Sequence, residues 1–420
     1  MPSFRLSSRI NWSNPEAIDG YNSLVHLAAG NSHSGTMELL FGKGASIDTA
    51  NNSLLHFAAG GGYTDTVKLL LDKGVPIEAR NTDGHTPLSL AVKNGHPRVI
   101  KLLLAKDTSI TNNTLLHLAA ENGHLSAVEL LLAEGASIEA KNPDGYTALH
   151  LAVKNGHPSI IELLLAEGAS MEARDTRGYT PLHLATKNDH PSITKLLLEQ
   201  GATVEALGKG KNTALHLAVL KGHTGIVELL LQKGASIGAK CGDGYTPIHL
   251  VASNGHTEAM ELLLKKGASL ESKDNHDGTP LHHAAFNGHT GTVELLLQKG
   301  ASIEARKRND CNTPLHLAAL KGHAAVVELL LTKGASIESI GQHGTPLHSA
   351  ALRGHTGVVE LLLGRGASLG VKNKNKKTPL HLAEQYRQTD IVQLLKAKAA
   401  ELAVRDTRRR SPFLASLFRR

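Results

Sequence analysis

The sequence predicts an all-α repeat solenoid, a stack of helix–loop–helix layers joined by projecting turns, and three observations lead there. A pattern near 33 residues long returns along almost the whole chain, as it does when one supersecondary unit is stacked on copies of itself. Helix-start and helix-stop residues recur in phase with it. Aromatic residues make up only 3% of the 420 residues, so the core must be built from Leu, Ala, Val and Ile in small interchangeable layers.

Each element of one repeat follows from local chemistry. Thr before Pro opens the first helix, because Thr caps the free N–H groups and Pro at the first helical position loses no needed hydrogen bond. That helix runs through "LHLA" to an Asn-Gly break. Pro97, Pro158 and Pro191 open second helices, whose "LLL" runs supply the buried stripe. Gly135, Gly168, Gly201, Gly234, Gly267, Gly300, Gly334 and Gly366 stand where a left-handed residue ends the second helix. The "ASIEAKNPDG" that follows reads as a tight turn. Helices of about 8–10 residues do not persist alone, so each layer needs neighbours.

The histidines decide between chemistry and architecture. In "LLHLAAENGHLSAVELLL", His117, Glu121 and His124 fall close enough to suggest a metal site or an acid–base pair. The first of these histidines returns as His150, His183, His216, His249, His282, His316, His348 and His381, and earlier as His26 and His56. The second returns seven places later, and the two slots account for 21 of the 25 histidines. The glutamate slot instead holds Lys154, Lys187, Leu220 and Phe286. A catalytic residue has no reason to recur at constant spacing; a structural one does. No metal, cofactor or catalytic residue is expected, and "GKGKNT" lacks the spacing of a phosphate loop.

"TPLHLA", "NGH", "VELLL" and "KGAS" in phase resemble the ankyrin repeat over residues 21–405, with about twelve copies starting near 21, 51, 84, 112, 144, 177, 210, 243, 276, 310, 342 and 375. The resemblance implies helix–loop–helix layers with β-turn or hairpin fingers, Thr and His holding the helix start, and protein binding on a concave face. Residues 1–20 precede this domain and a basic, apolar tail, 406–420, follows it. The turns before repeats 2 and 4 are shorter than usual, which predicts stunted fingers and a shallower groove there. Repeat 12 is more polar, as a terminal cap should be.

Charge and cysteine usage narrow the class. The net charge of +7 is concentrated at one end, with 15 Lys/Arg and 5 Asp/Glu in residues 343–420. The two cysteines, Cys241 and Cys311, lie two repeats apart and beyond disulfide reach, which suits the cytosol or nucleus. No apolar run approaches the roughly 18 residues of a membrane helix, and "MPSFRLSSRINW" has no hydrophobic signal core.

Slots that face the groove in the family give the candidate partner-binding residues. Tyr146, Tyr179 and Tyr245 stand near the finger tips. Leu220/Lys221, Phe286/Asn287, Leu320/Lys321 and Leu352/Arg353 stand on the inner helices. Apolar anchors beside cations are expected to take an acidic protein partner with apolar anchors of its own. His283 replaces a leucine of other copies and must find a partner, change its charge state or face the groove; Ser349 breaks the same slot. The alternatives are an enzyme or small-molecule site around His283, and recruitment to membrane or nucleic acid through "RKR" (306–308), "KNKNKK" (372–377) and the tail. The basic clusters lack the aromatic interleaving of a nucleic-acid platform. Phe413, Leu414, Leu417 and Phe418 would let the tail dock on a membrane or partner.

Overall fold

A computed structural model describes residues 24–25, 27–42, 53–106 and 112–410. His26, residues 1–20 and the tail residues Phe413, Leu414, Leu417 and Phe418 lie outside the described residues, as do parts of the shortened turns before repeats 2 and 4. All regular structure among the described residues is helical. Packing divides the chain into two compact bodies, residues 1–188 with 199–202, and residues 189–198 with 203–420.

Repeats 7 to 11, all in the second body, show how a layer is made. The inner helices are Ala214–Lys221, Pro247–Asn254, Pro280–Asn287, Pro314–Lys321 and Pro346–Arg353. The outer helices are Thr224–Gln232, Thr257–Lys265, Thr290–Gln298, Ala324–Thr332 and Thr356–Gly364. Leu215, Ala218, Val227 and Leu230 of repeat 7 are fully buried, and later layers bury the same slots. The glycines after the outer helices take the left-handed conformation the sequence requires of them, for example φ 93° at Gly334.

The fingers are tight turns. In repeat 5, Tyr146 and Asn142 close one turn, the N–H of Asn142 donating to the carbonyl of Tyr146 at 3.0 Å. The Asn142 side chain then accepts from the N–H groups of Asp144 and Tyr146. No β-strand forms among the described residues, so of the two forms expected, β-turn or hairpin, the fingers take the turn.

Three hydrogen bonds staple neighbouring layers. First, the inner-helix histidine closes its own helix start and reaches onward. In repeat 8 the N–H of Thr246 donates to His249 Nδ1 at 3.2 Å, so Nε2 carries the ring proton. That Nε2–H lies 3.0 Å from the carbonyls of both Ser272 and Gly278, in the next finger. The same Thr–His box recurs at His150, His183, His216, His282, His316, His348 and His381. His117 likewise reaches onward, to Ala140 O at 2.8 Å.

Second, the histidine that starts an outer helix donates to the end of the preceding inner helix. His289 reaches Ser253 O, His323 reaches Phe286 O and His355 reaches Leu320 O, at 2.9, 3.0 and 3.0 Å. Third, Glu139, Glu205, Glu271, Glu304 and Glu338 accept from the backbone N–H of Ser170, Ser236, Ser302, Ser336 and Ser368, each one layer on.

Repeat 12 ends differently. Its outer helix, Thr389–Arg410, runs 22 residues and passes through the expected boundary at 405/406. The glycine that follows most other outer helices is Ala399 here, and a residue with a Cβ takes the left-handed stop only at a cost. The fingers of repeats 3 and 5 border an open cleft of about 790 Å³ floored by Ser89, Leu118 and Leu151.

Candidate partner-binding groove

Because the inner helices stack side by side, their last turns form a row on the finger side of each layer. Leu220 and Phe286 remain 39% and 36% exposed there, and Leu320 is half-buried. Lys221, Asn287, Lys321 and Arg353 are exposed beside them. Leu352 departs from the expectation: at 7% exposure it is part of the core rather than an open anchor. Tyr146 is likewise covered, at 8%, its ring 5.8 Å from that of His150, with Lys154 Nζ 5.5 Å from its centroid. Tyr179 repeats the arrangement, stacked on His183 at 5.4 Å with Lys187 beyond. Both tyrosines belong to the first body. They brace their own helix starts, which leaves little of Tyr146 for a partner.

In the second body the candidates converge at repeats 8 to 10. Lys321 Nζ lies 4.3 Å from the centroid of the Phe286 ring, across one layer junction. Such a contact draws the cation to the ring face. Below them, Tyr245, Ser253, His282, His283, Phe286, Asn287, Lys307 and Leu317 line a pocket of about 290 Å³. Of the residues singled out from the sequence, Tyr245, Phe286 and Asn287 meet here. Leu220, Lys221, Leu352 and Arg353 do not line it.

His283 finds the partner its position demands. Its Nε2–H donates to Asp274 Oδ2 at 2.8 Å, and its ring meets Tyr245 and His249 edge-on at 4.9 and 5.4 Å. Burial works to raise the Asp274 pKa. The bond from His283 and the backbone N–H groups of His276 and Gly278 outweigh it and hold the carboxyl well below the usual range. Burial, together with the neighbouring His283, pushes His249 down to about 4.

This pair resembles a catalytic dyad, but Asp274 occupies a slot that several other fingers use in the same way. Asn81, Asn142, Asp175 and Asn373 accept the same two backbone N–H groups in theirs. The finger supplied the carboxylate for architectural reasons, and His283 exploits it. Among the described residues no group of three His, Cys, Asp or Glu side chains is placed to hold a metal ion.

Sequence reasoning missed Lys307 and Leu317 as parts of this pocket, and took "RKR" as one basic cluster. The structure separates its members. Arg306 donates to Ile340 O at 2.8 Å, Arg308 clamps Asp277 through two bonds of 2.9 and 3.0 Å, and Lys307 lines the pocket. The break in the leucine slot at His283 and the groove slots of Tyr245, Phe286 and Asn287 were the signals that pointed here.

Helical layers, left-handed glycines, Thr–His boxes and turn fingers together define a helical repeat protein. Family comparison makes this specific: a model described as ankyrin repeats (3 copies) matches residues 25–114, 105–175, 168–241, 215–307, 277–341 and 315–406. The chain belongs to the ankyrin repeat family. Its repeats generally serve as protein–protein interaction modules, and its members are typically non-enzymatic. Among solved structures the crystal structure of the human ASB11 ankyrin repeat domain is similar, at 30% identity and a TM-score of 0.48, over 52% of this chain and 98% of that one. No curated protein matches. Among the described residues no helix is long and apolar enough to cross a membrane.

Proposed function

We propose that this chain is a non-enzymatic scaffold or adaptor that engages a protein partner through the groove of repeats 7–11. The observation that carries the reading is Phe286, a large apolar side chain left open to solvent with the Lys321 ammonium against its ring. Exposed Leu220 beside Lys221, and Leu320 beside Lys321, extend the same pairing. Partly desolvated apolar anchors rimmed by cations favour an acidic partner with apolar residues of its own. A reducing compartment, the cytosol or nucleus, suits its two free thiols.

The test starts from partners captured with the full chain, each then purified and titrated by calorimetry. Phe286→Ala or Leu320→Ala should weaken binding by about 1–3 kcal/mol without moving the melting curve, because groove residues contribute affinity rather than core packing. Lys321→Glu should mainly slow association and reduce its salt dependence. Three variants that bind like the wild type would remove the groove of repeats 7–11 from consideration.

A further inference from the structure

We propose that the pocket of repeats 8–10 receives one large apolar side chain of an acidic peptide segment, whose neighbouring carboxylate is held by Lys307 and Lys321. This rests on the groove reading above and narrows it to one site. The pocket exists because repeat 9 departs from its neighbours twice. Where repeats 5, 6 and 8 set a finger tyrosine against the helix-start histidine, repeat 9 has Gly278, so no ring fills the space above His282. A Cβ at Gly278 would sit 2.6 Å from Asp274 Oδ2, the oxygen that binds His283. The glycine and the histidine therefore belong to one arrangement.

Size and chemistry select the occupant. At about 290 Å³ the cavity stands at the lower end of small-molecule sites, roughly 300–1,000 Å³, and suits a single side chain. Tyr245, Phe286 and Leu317 supply apolar wall, and His283 contributes no unmet charge because its Nε2–H is engaged by Asp274. None of the lining residues is acidic. Two of the nearby carboxylates are committed, Asp274 to His283 and Asp277 to Arg308, and Asp243 stands in the finger beside Tyr245. Lys307 in the lining and Lys321 over Phe286 leave the rim cationic. An apolar residue with Asp or Glu one or two positions away answers both features.

The probe is a phage library of random twelve-residue peptides selected on the full chain. Winners should carry one large apolar residue with Asp or Glu within two positions. Ser253→Phe, which fills the pocket from its rim without removing an anchor, and Lys307→Glu should each weaken the winning synthetic peptides at least tenfold. Lys333→Glu, at the C-terminal cap of the outer helix of repeat 10, should change nothing, and circular dichroism melts should match throughout. Peptides that weaken with Leu220→Ala but ignore Ser253→Phe and Lys307→Glu overturn the pocket while leaving the groove reading intact. Winners that need the pocket but lack acidic residues overturn the charge assignment. Failure to select any peptide, or selection indifferent to every groove variant, overturns both.

Discussion

A single glycine shows how tightly one layer constrains the next. Gly322 ends an inner helix at φ 80°, and a Cβ there would lie 2.6 Å from the ring of His355 in the following layer. Gly334, at φ 93°, has nothing within 4 Å. Alanine at either position meets left-handed strain of about 1–2 kcal/mol. Only Gly322→Ala also evicts His355 from its bond to Leu320 O. It should be the more destabilising by about 1–3 kcal/mol, read from urea unfolding; equal losses would discard the steric account. The exceptions in the chain agree. Ser32 fills this slot where the next repeat has Tyr63 in place of histidine, and Arg387 fills it in the last repeat. Asp189 fills it with φ 58°, and there His223 Nδ1 lies 3.4 Å from the aspartate instead. The period made such slots legible in the sequence. The contact that fixes the glycine was not, because it lies in another layer about 33 residues away.

At the scale of the element, the finger is where length is absorbed. His150, His216, His249 and His348 bond a carbonyl 29 residues on. Across the 34-residue step His282 bonds Asn312, 30 on, and across the 32-residue step His316 bonds Gly344, 28 on. The bond follows the residue before the capping Thr, so an extra residue bulges in the turn and the staple survives. The glutamate staple lies on the other side of that turn, and no reading of the sequence had separated it from the turn. Glu304→Ala should leave the amide of Ser336 without its acceptor and speed its hydrogen exchange, at a stability cost of about 0.5–1.5 kcal/mol. Unchanged exchange at Ser336 would show the bond to be dispensable. Exposure along the groove was the least legible feature. Leu220 and Leu352 hold the same slot, yet one is open and the other covered, because periodicity gives the face of a helix and not what its neighbours lay over it.

Summed over the molecule, the buried histidines become a pH sensor of stability. Burial first, and neighbouring charge second, lowers His249, and burial lowers His282 and His316, each to about 4; His150, His216 and His348 shift the same way. In the unfolded chain these rings titrate near 6.5. Unfolding therefore takes up protons below that value. Stability should be fully present above about pH 6.5 and fall as pH drops toward 4, by at most about 3 kcal/mol for each ring held near 4. The urea midpoint followed from pH 8 to 4 measures it; a flat profile, or a rise on acidification, would contradict the buried neutral rings.

The repeating staples also bear on how a gene for such a chain can change. Each joins a layer only to the one beside it, between slots that recur. Unequal crossing-over that adds or deletes a copy in phase regenerates junctions of a kind already present. The chain can therefore lengthen or shorten by recombination without inventing a new contact. The junction of repeats 9 and 10 adds contacts outside the recurring set, since Arg308 reaches back to Asp277 and Lys321 to Phe286. A crossover through it would leave a sound stack and erase the pocket.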